Sequence, residues 1–195
     1  SVLPTRCPQS QKGLATGVEH EDCLYLNLYR PAQKSKASRA IYLYVHGGGA
    51  VAGSASDVDG SELAKQGDII VITINYRLGA LRFMNSELIA KDAVNSKVGN
   101  YALMDVKAAL EWTKRNARAF GGDPGKITLG GESAGGTVLC PLMTSPNAQG
   151  LFRSRIISSD DCLHDIDTLE QAHNRARELA QKLNCNDVQC LRDKA

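Results

Sequence analysis

Between residues 24 and 30 apolar and polar side chains alternate, Leu-Tyr-Leu-Asn-Leu-Tyr-Arg, which is the period of a half-buried strand. Pro31 ends it, and the polar stretch 31–39, with Lys34, Lys36 and Arg39, reads as a solvated hairpin tip. A second strand at 40–45, Ala-Ile-Tyr-Leu-Tyr-Val, runs straight into His46-Gly47-Gly48-Gly49. Residues 54–66 carry weak helical signals. The run Ile-Ile-Val-Ile-Thr-Ile within 68–75 is continuous and β-branched, as in a central strand covered on both faces. Residues 76–100 lack a clear period and read as a long excursion with polar turns.

Helical spacing returns at 103–120, where Leu103, Val106, Leu110 and Trp112 are among the apolar residues, and Gly121-Gly122-Asp123-Pro124-Gly125 stops it. A short buried strand at 126–129 then leads into a sharp turn at 130–135, and a helix begins at Ala134. A further strand at 153–158 precedes an amphipathic helix at 167–183, with Leu169, Ala172, Ala176, Leu179 and Leu183 at helical spacing. Strands alternating with helices predict an α/β fold with a mostly parallel sheet and right-handed crossovers. The short polar turn between the first two strands predicts an antiparallel start.

A chain of 195 residues without repeats or low-complexity linkers is expected to form one domain. Its 23 basic and 21 acidic residues are well mixed, so no basic stripe points to nucleic acid. No apolar run approaches the roughly 18 residues of a membrane span. The start, Ser1-Val2-Leu3-Pro4, has neither part of a signal peptide and reads as that of a mature or trimmed chain.

Six cysteines without C-x-x-C pairs point to an oxidising, secreted setting rather than a metal site. Cys7 and Cys23 flank a polar loop, and closing it would contribute about 3 kcal/mol in the chain-entropy view. Cys185 and Cys190 suit a tight loop after the last helix. Cys140, among Val138, Leu139, Leu142 and Met143, reads as a small buried hydrophobe, and Cys162 has no assigned partner. Six cysteines permit 15 pairings, so the pairing stays open.

The chemistry centres on Gly131-Glu132-Ser133-Ala134-Gly135, where strand becomes helix. A serine at such a turn sits in strained backbone, and the chain passes so close that residues two before and two after it do best without a Cβ. A plain glycine-rich cap remains the bland alternative; a phosphate loop lacks its Gly-Lys-Ser/Thr ending. His46-Gly47-Gly48-Gly49 supplies a second set of bare N–H groups at a strand's carboxyl end. Acyl transfer needs this pairing, because a serine attacking an ester builds charge on the carbonyl oxygen that fixed N–H donors stabilise. Ser133 is then the nucleophile, and the N–H groups of Gly48, Gly49 and Ala134 are the donors.

These residues resemble a known family. Glu21-Asp22-Cys23-Leu24-Tyr25-Leu26-Asn27, His46-Gly47-Gly48-Gly49, Asn75-Tyr76-Arg77-Leu78-Gly79-Ala80, Phe120-Gly121-Gly122-Asp123-Pro124 and Gly131-Glu132-Ser133-Ala134-Gly135 are similar to motifs of the type-B carboxylesterases, the esterase, lipase and cholinesterase group of α/β-hydrolases. The resemblance implies an α/β-hydrolase fold of which this chain covers part, Ser133 as nucleophile, and Gly48, Gly49 and Ala134 as the oxyanion hole. It further implies Cys7–Cys23 as a first disulfide, Cys185–Cys190 as a second, and a structural salt bridge between Glu21 and Arg77. The substrate it implies is a small-molecule or lipid ester, and the reaction takes no cofactor and no metal.

Family members are usually more than twice this length, and their catalytic acid and histidine come from the part that is absent here. The chain is therefore expected to be a nucleophile-bearing segment that does not turn over alone, with the rest of the hydrolase domain outside it. Where the family commonly carries Gln-Ser-Gly-Ser, this chain has Ser158-Ser159-Asp160-Asp161. Its one tryptophan, Trp112, lies on a helix, so the aromatic choline site of cholinesterases has no counterpart and a choline ester is not the expected substrate. Two other readings stand beside this one. Some homologues are non-catalytic adhesion proteins, but they commonly lack the serine. A self-sufficient hydrolase would need Asp160 or Asp161 with His164 to converge on Ser133.

Overall fold

Among the described residues five strands hydrogen-bond into one sheet, most of them where the pattern is β-branched or alternating. The structure, a computed structural model, describes residues 5–9, 18–33, 35, 37–92, 98–163 and 167–194. Strand β1 (Leu26–Tyr29) is followed by β2 (Arg39–Val45), helix α1 (Ser61–Gly67) and β3 (Ile70–Ile74). Helices α2 (Ala80–Phe83) and α3 (Glu87–Asp92) fall within the stretch that showed no period, and α4 (Tyr101–Asn116) follows. Then come β4 (Gly122–Glu132), α5 (Ala134–Thr144), β5 (Ser154–Ser158), α6 (Leu169–Lys182) and α7 (Val188–Arg192).

The chain gathers into two units, one of Ser1–Gly79 and Ala102–Cys162, the other of Ala80–Tyr101 and Leu163–Ala195. The first holds the sheet, in the order β1-β3-β2-β4-β5. Only β1 runs antiparallel, and its neighbour is β3 rather than the β2 that a short hairpin implied. Burial explains the difference. Every position of β1 is half-buried, which suits an edge, whereas β3 is buried at all positions and needs a strand on both sides. The polar tip before β2 also differs from the expectation. Arg39 is buried as the first residue of β2, with its Nε donating to Asp68 at 2.7 Å and an Nη to the Gln33 carbonyl at 2.8 Å.

β4 starts earlier than its apolar residues indicate, because an irregularity in register between Arg39 and Ile41 lets the glycine-rich stretch pair from Gly122. Its buried Ile127 and Leu129 join Ile41, Leu43 and Val45 of β2, Val106 and Leu110 of α4, and Val138, Leu139 and Leu142 of α5 in one apolar cluster. In the second unit, Thr168 and Gln171 form a reciprocal capping box that starts α6. Its covered face is Ala176 and Ala180; Leu169, in the first turn, is exposed.

Three disulfides are present among the described residues: Cys7–Cys23, Cys140–Cys162 and Cys185–Cys190. The second corrects the reading of Cys140 as a small buried hydrophobe: it is half-buried and disulfide-bonded. The chain returns past α5 after β5, which brings Cys162 within bonding distance of a residue that sequence spacing leaves alone.

Candidate active site

Ser133 links the end of β4 to the start of α5 with φ 50° and ψ −126°, a conformation that side-chain-bearing residues seldom adopt. Its N–H donates to the Ser158 carbonyl of β5 at 2.8 Å, and its own carbonyl accepts the first helical bond, from Thr137, at 3.0 Å. The serine is thus fixed on one side by the sheet and on the other by the helix. Gly135 follows because the helix start lies directly on the end of β2: a Cβ there would collide with the Val45 carbonyl oxygen and sit 2.7 Å from that of His46.

The glycine loop after β2 comes to the same place. A Cβ on Gly47 would stand 2.9 Å from the Glu132 carbonyl oxygen and 3.3 Å from the Ser133 Cβ, so only a bare backbone passes here. Gly48, Gly49 and Ala50 are successive left-handed residues, with φ of 99°, 62° and 53°, and the Gly48 carbonyl accepts from both Val51 and Ala52 at 3.1 Å. The loop is held from outside by Gln9, whose side-chain amide donates to the Gly53 carbonyl at 2.6 Å and accepts from the Gly53 N–H at 3.1 Å. Cys7–Cys23 fixes the segment that carries Gln9.

His46 is buried below this loop. Its Nδ1 lies 2.8 Å from the Gly47 carbonyl, which can only accept, so Nδ1 carries the proton. The ring stacks on Tyr76 with centroids 4.6 Å apart, and the Tyr76 hydroxyl donates to the His46 carbonyl at 2.9 Å. Burial pushes the ring below its ordinary value of 6.5, against smaller upward effects of the Gly47 bond and of Asp57. The folded chain therefore binds less proton than the unfolded one just below pH 6.5, so stability falls as pH drops from there towards the lowered value. Urea midpoints are expected to be level above about pH 7 and to decline by about pH 5.5, and His46→Asn is expected to flatten that slope.

The sequence-derived residues do not all converge. Among the described residues, His20 Nδ1 accepts from the Asp22 N–H at 2.9 Å, and His173 Nε2 lies 3.2 Å from Asn85 Oδ1 in the second unit. Neither these nor His46 is engaged with Ser133, and His164 lies outside the described residues. Asp160 binds the Thr137 hydroxyl and the Cys162 N–H. Arg77 is gripped by Asp105 through its backbone N–H, Nε and Nη2, at 3.0, 2.8 and 2.6 Å, an ion pair whose acid no motif in the sequence marked. Cys140, Asp160 and Cys162 lie within 4.8 Å of one another, but both sulfurs are tied in the disulfide and offer no thiolate to a metal.

The sequence pattern of the "Carboxylesterase family" matches residues 1–195. The chain belongs to the carboxylesterase family. It is 39% identical over 166 residues to the fumonisin B1 esterase of Sphingopyxis macrogoltabida, which covers 84% of this chain and 31% of the relative. With the medium-chain fatty acyl-CoA hydrolase precursor of Anas platyrhynchos it shares 40% over 181 residues, 89% of this chain and 31% of that one. A solved p-nitrobenzyl esterase (PNB esterase) superposes with a TM-score of 0.82 at 36% identity, over 95% of this chain and 38% of its own. The fold is thus part of an α/β-hydrolase, and this carboxylesterase-family chain spans about a third of the length of the relatives it matches.

Proposed function

We propose that this chain is the nucleophile-bearing segment of a longer serine carboxylic-ester hydrolase that works through an acyl-serine intermediate, and that residues 1–195 are part of one hydrolase domain. The observation that carries the reading is Ser133, strained between β4 and α5, with the Gly47 backbone against it. The Ser133 hydroxyl attacks the ester carbonyl and gives its proton to a base supplied from beyond the described residues. Negative charge moves onto the carbonyl oxygen, where the N–H groups of Gly48, Gly49 and Ala134 form the oxyanion hole. The alcohol leaves with the proton, and water releases the acid from the acyl-serine.

The substrate is a small-molecule or lipid ester; the chemistry requires no cofactor, and the mixed surface charge suits no nucleic-acid partner. No described helix is long and apolar enough to cross a membrane. Three disulfides support an oxidising, secreted location. The test is fluorophosphonate labelling with intact mass on the natural material. Labelling is expected on a protein well above 21.0 kDa and at Ser133. Labelling at 21.0 kDa would mean that the base lies within this chain, whereas a folded, longer protein that does not label would be a binding homologue.

A further inference from the structure

The strain at Ser133 persists only if its surroundings over-determine it. The sheet contributes the Ser158 carbonyl, which accepts the Ser133 N–H at 2.8 Å. Immediately afterwards the chain leaves β5 through Ser159, a non-glycine residue at φ 58°, and reaches Cys162, another at φ 60°. A solvated turn needs neither. The loop adopts them because it is fastened to α5 at two points. One Asp160 carboxylate oxygen accepts the Thr137 hydroxyl in the first turn of α5, and the other accepts the Cys162 N–H at 2.7 Å. Cys162 is in turn bonded to Cys140, three residues beyond Thr137 and so on the same helix face. Gly136 makes room: a Cβ there would stand 3.0 Å from the Asp160 Cβ and 2.9 Å from Ile157 Cγ2.

We propose that Asp160, kept in place by the Cys140–Cys162 disulfide, is a positioning residue for Ser133. It joins the two structures that meet at the serine, the end of β5 that accepts its N–H and the helix turn that bonds its carbonyl. Loosening the loop lets the Ser158 carbonyl and α5 move apart and turns the hydroxyl away from its line of attack. The inference rests on the reading of Ser133 as the nucleophile.

The test uses the full-length protein. Asp160→Ala and Thr137→Val are each expected to slow fluorophosphonate labelling of Ser133, and kcat on a p-nitrophenyl ester with it, by roughly tenfold, while KM moves less than about twofold. The double variant is expected to be no slower than Asp160→Ala alone, because the two changes break a shared bond. Thr137→Ser, which keeps the hydroxyl, is expected to label as fast as the parent. If the alanine variant does not fold, Thr137→Val alone serves the same comparison, since it removes the hydroxyl that Asp160 accepts and leaves the bond to the Cys162 N–H in place. Labelling at the parent rate in Asp160→Ala, even with a lowered melting temperature, overturns the positioning role and leaves a stabilising bridge. Labelling that survives Ser133→Ala overturns the nucleophile assignment and this inference together; labelling lost there but unchanged in the Asp160 variants removes the inference alone.

Discussion

Ser133→Ala in the full-length protein is expected to lower kcat for ester hydrolysis by about a millionfold, equivalent to about 8 kcal/mol, with KM nearly unchanged. The size follows from what is removed. Under the proposed mechanism no acyl intermediate forms without the hydroxyl, and the N–H groups proposed as oxyanion donors can act only on direct attack by water. The fold is expected to survive, because alanine inherits the same φ of 50° that the serine carries. Ser133→Gly separates strain from chemistry. Glycine tolerates that backbone, so this variant is expected to be as inactive as the alanine one while unfolding at a higher denaturant concentration. A serine-free variant that still turns over ester would overturn the assignment. A glycine variant no more stable than the alanine one would show that the strain at Ser133 is smaller than its φ implies.

The geometry of the candidate site was legible in the sequence to the extent that close backbone approach forces composition. The glycines flanking Ser133 and those of the loop after β2 are there because backbone passes backbone, and such close approach leaves a mark in the sequence itself. The apolar run that becomes β3 was legible for a similar reason, since only a strand covered on both faces takes five consecutive buried positions. What stayed hidden depends on three-dimensional return of the chain. The pairing of β1 with β3 is decided by which strand needs cover, not by the length of the turn that precedes β2. Cys140–Cys162, the Asp160 bridge and the grip of Asp105 on Arg77 join residues 22, 23 and 28 positions apart, with no periodicity to announce them. Two of these three lie beside the turn that carries Ser133, where Ser158-Ser159-Asp160-Asp161 stands in place of the family's usual Gln-Ser-Gly-Ser, so the resemblance does not mark them.

Gly135→Ala offers the sharpest contest between local propensity and packing. In the first turn of α5, alanine gains about 1 kcal/mol over glycine in intrinsic helix preference, which by itself predicts a more stable protein. The structure predicts the reverse. The new Cβ would meet the Val45 carbonyl oxygen and lie 2.7 Å from that of His46, closer than the 3.0 Å below which real Cβ contacts essentially do not occur. Both oxygens belong to the end of β2 and the residue after it, and β2 is hydrogen-bonded between β3 and β4, so they have nowhere to move. Overpacking against fixed backbone costs more than the propensity gain, and a net loss of about 2 kcal/mol or more is expected from urea denaturation. Labelling of Ser133 is expected to fall further than stability does, because any shift that relieves the clash drives α5 away from the strand end that carries Gly47, Gly48 and Gly49. Gly136→Ala is the control. Its added Cβ faces Ile157 Cγ2 at 2.9 Å, the end of a side chain that can rotate, and Asp160 Cβ at 3.0 Å, a milder approach than the backbone oxygens at Gly135, so its stability loss is expected to be the smaller of the two. If Gly135→Ala instead unfolds and labels as the parent does, α5 and the end of β2 do not touch as closely as described, and the glycine loop after β2 loses the contact that sets it against the serine.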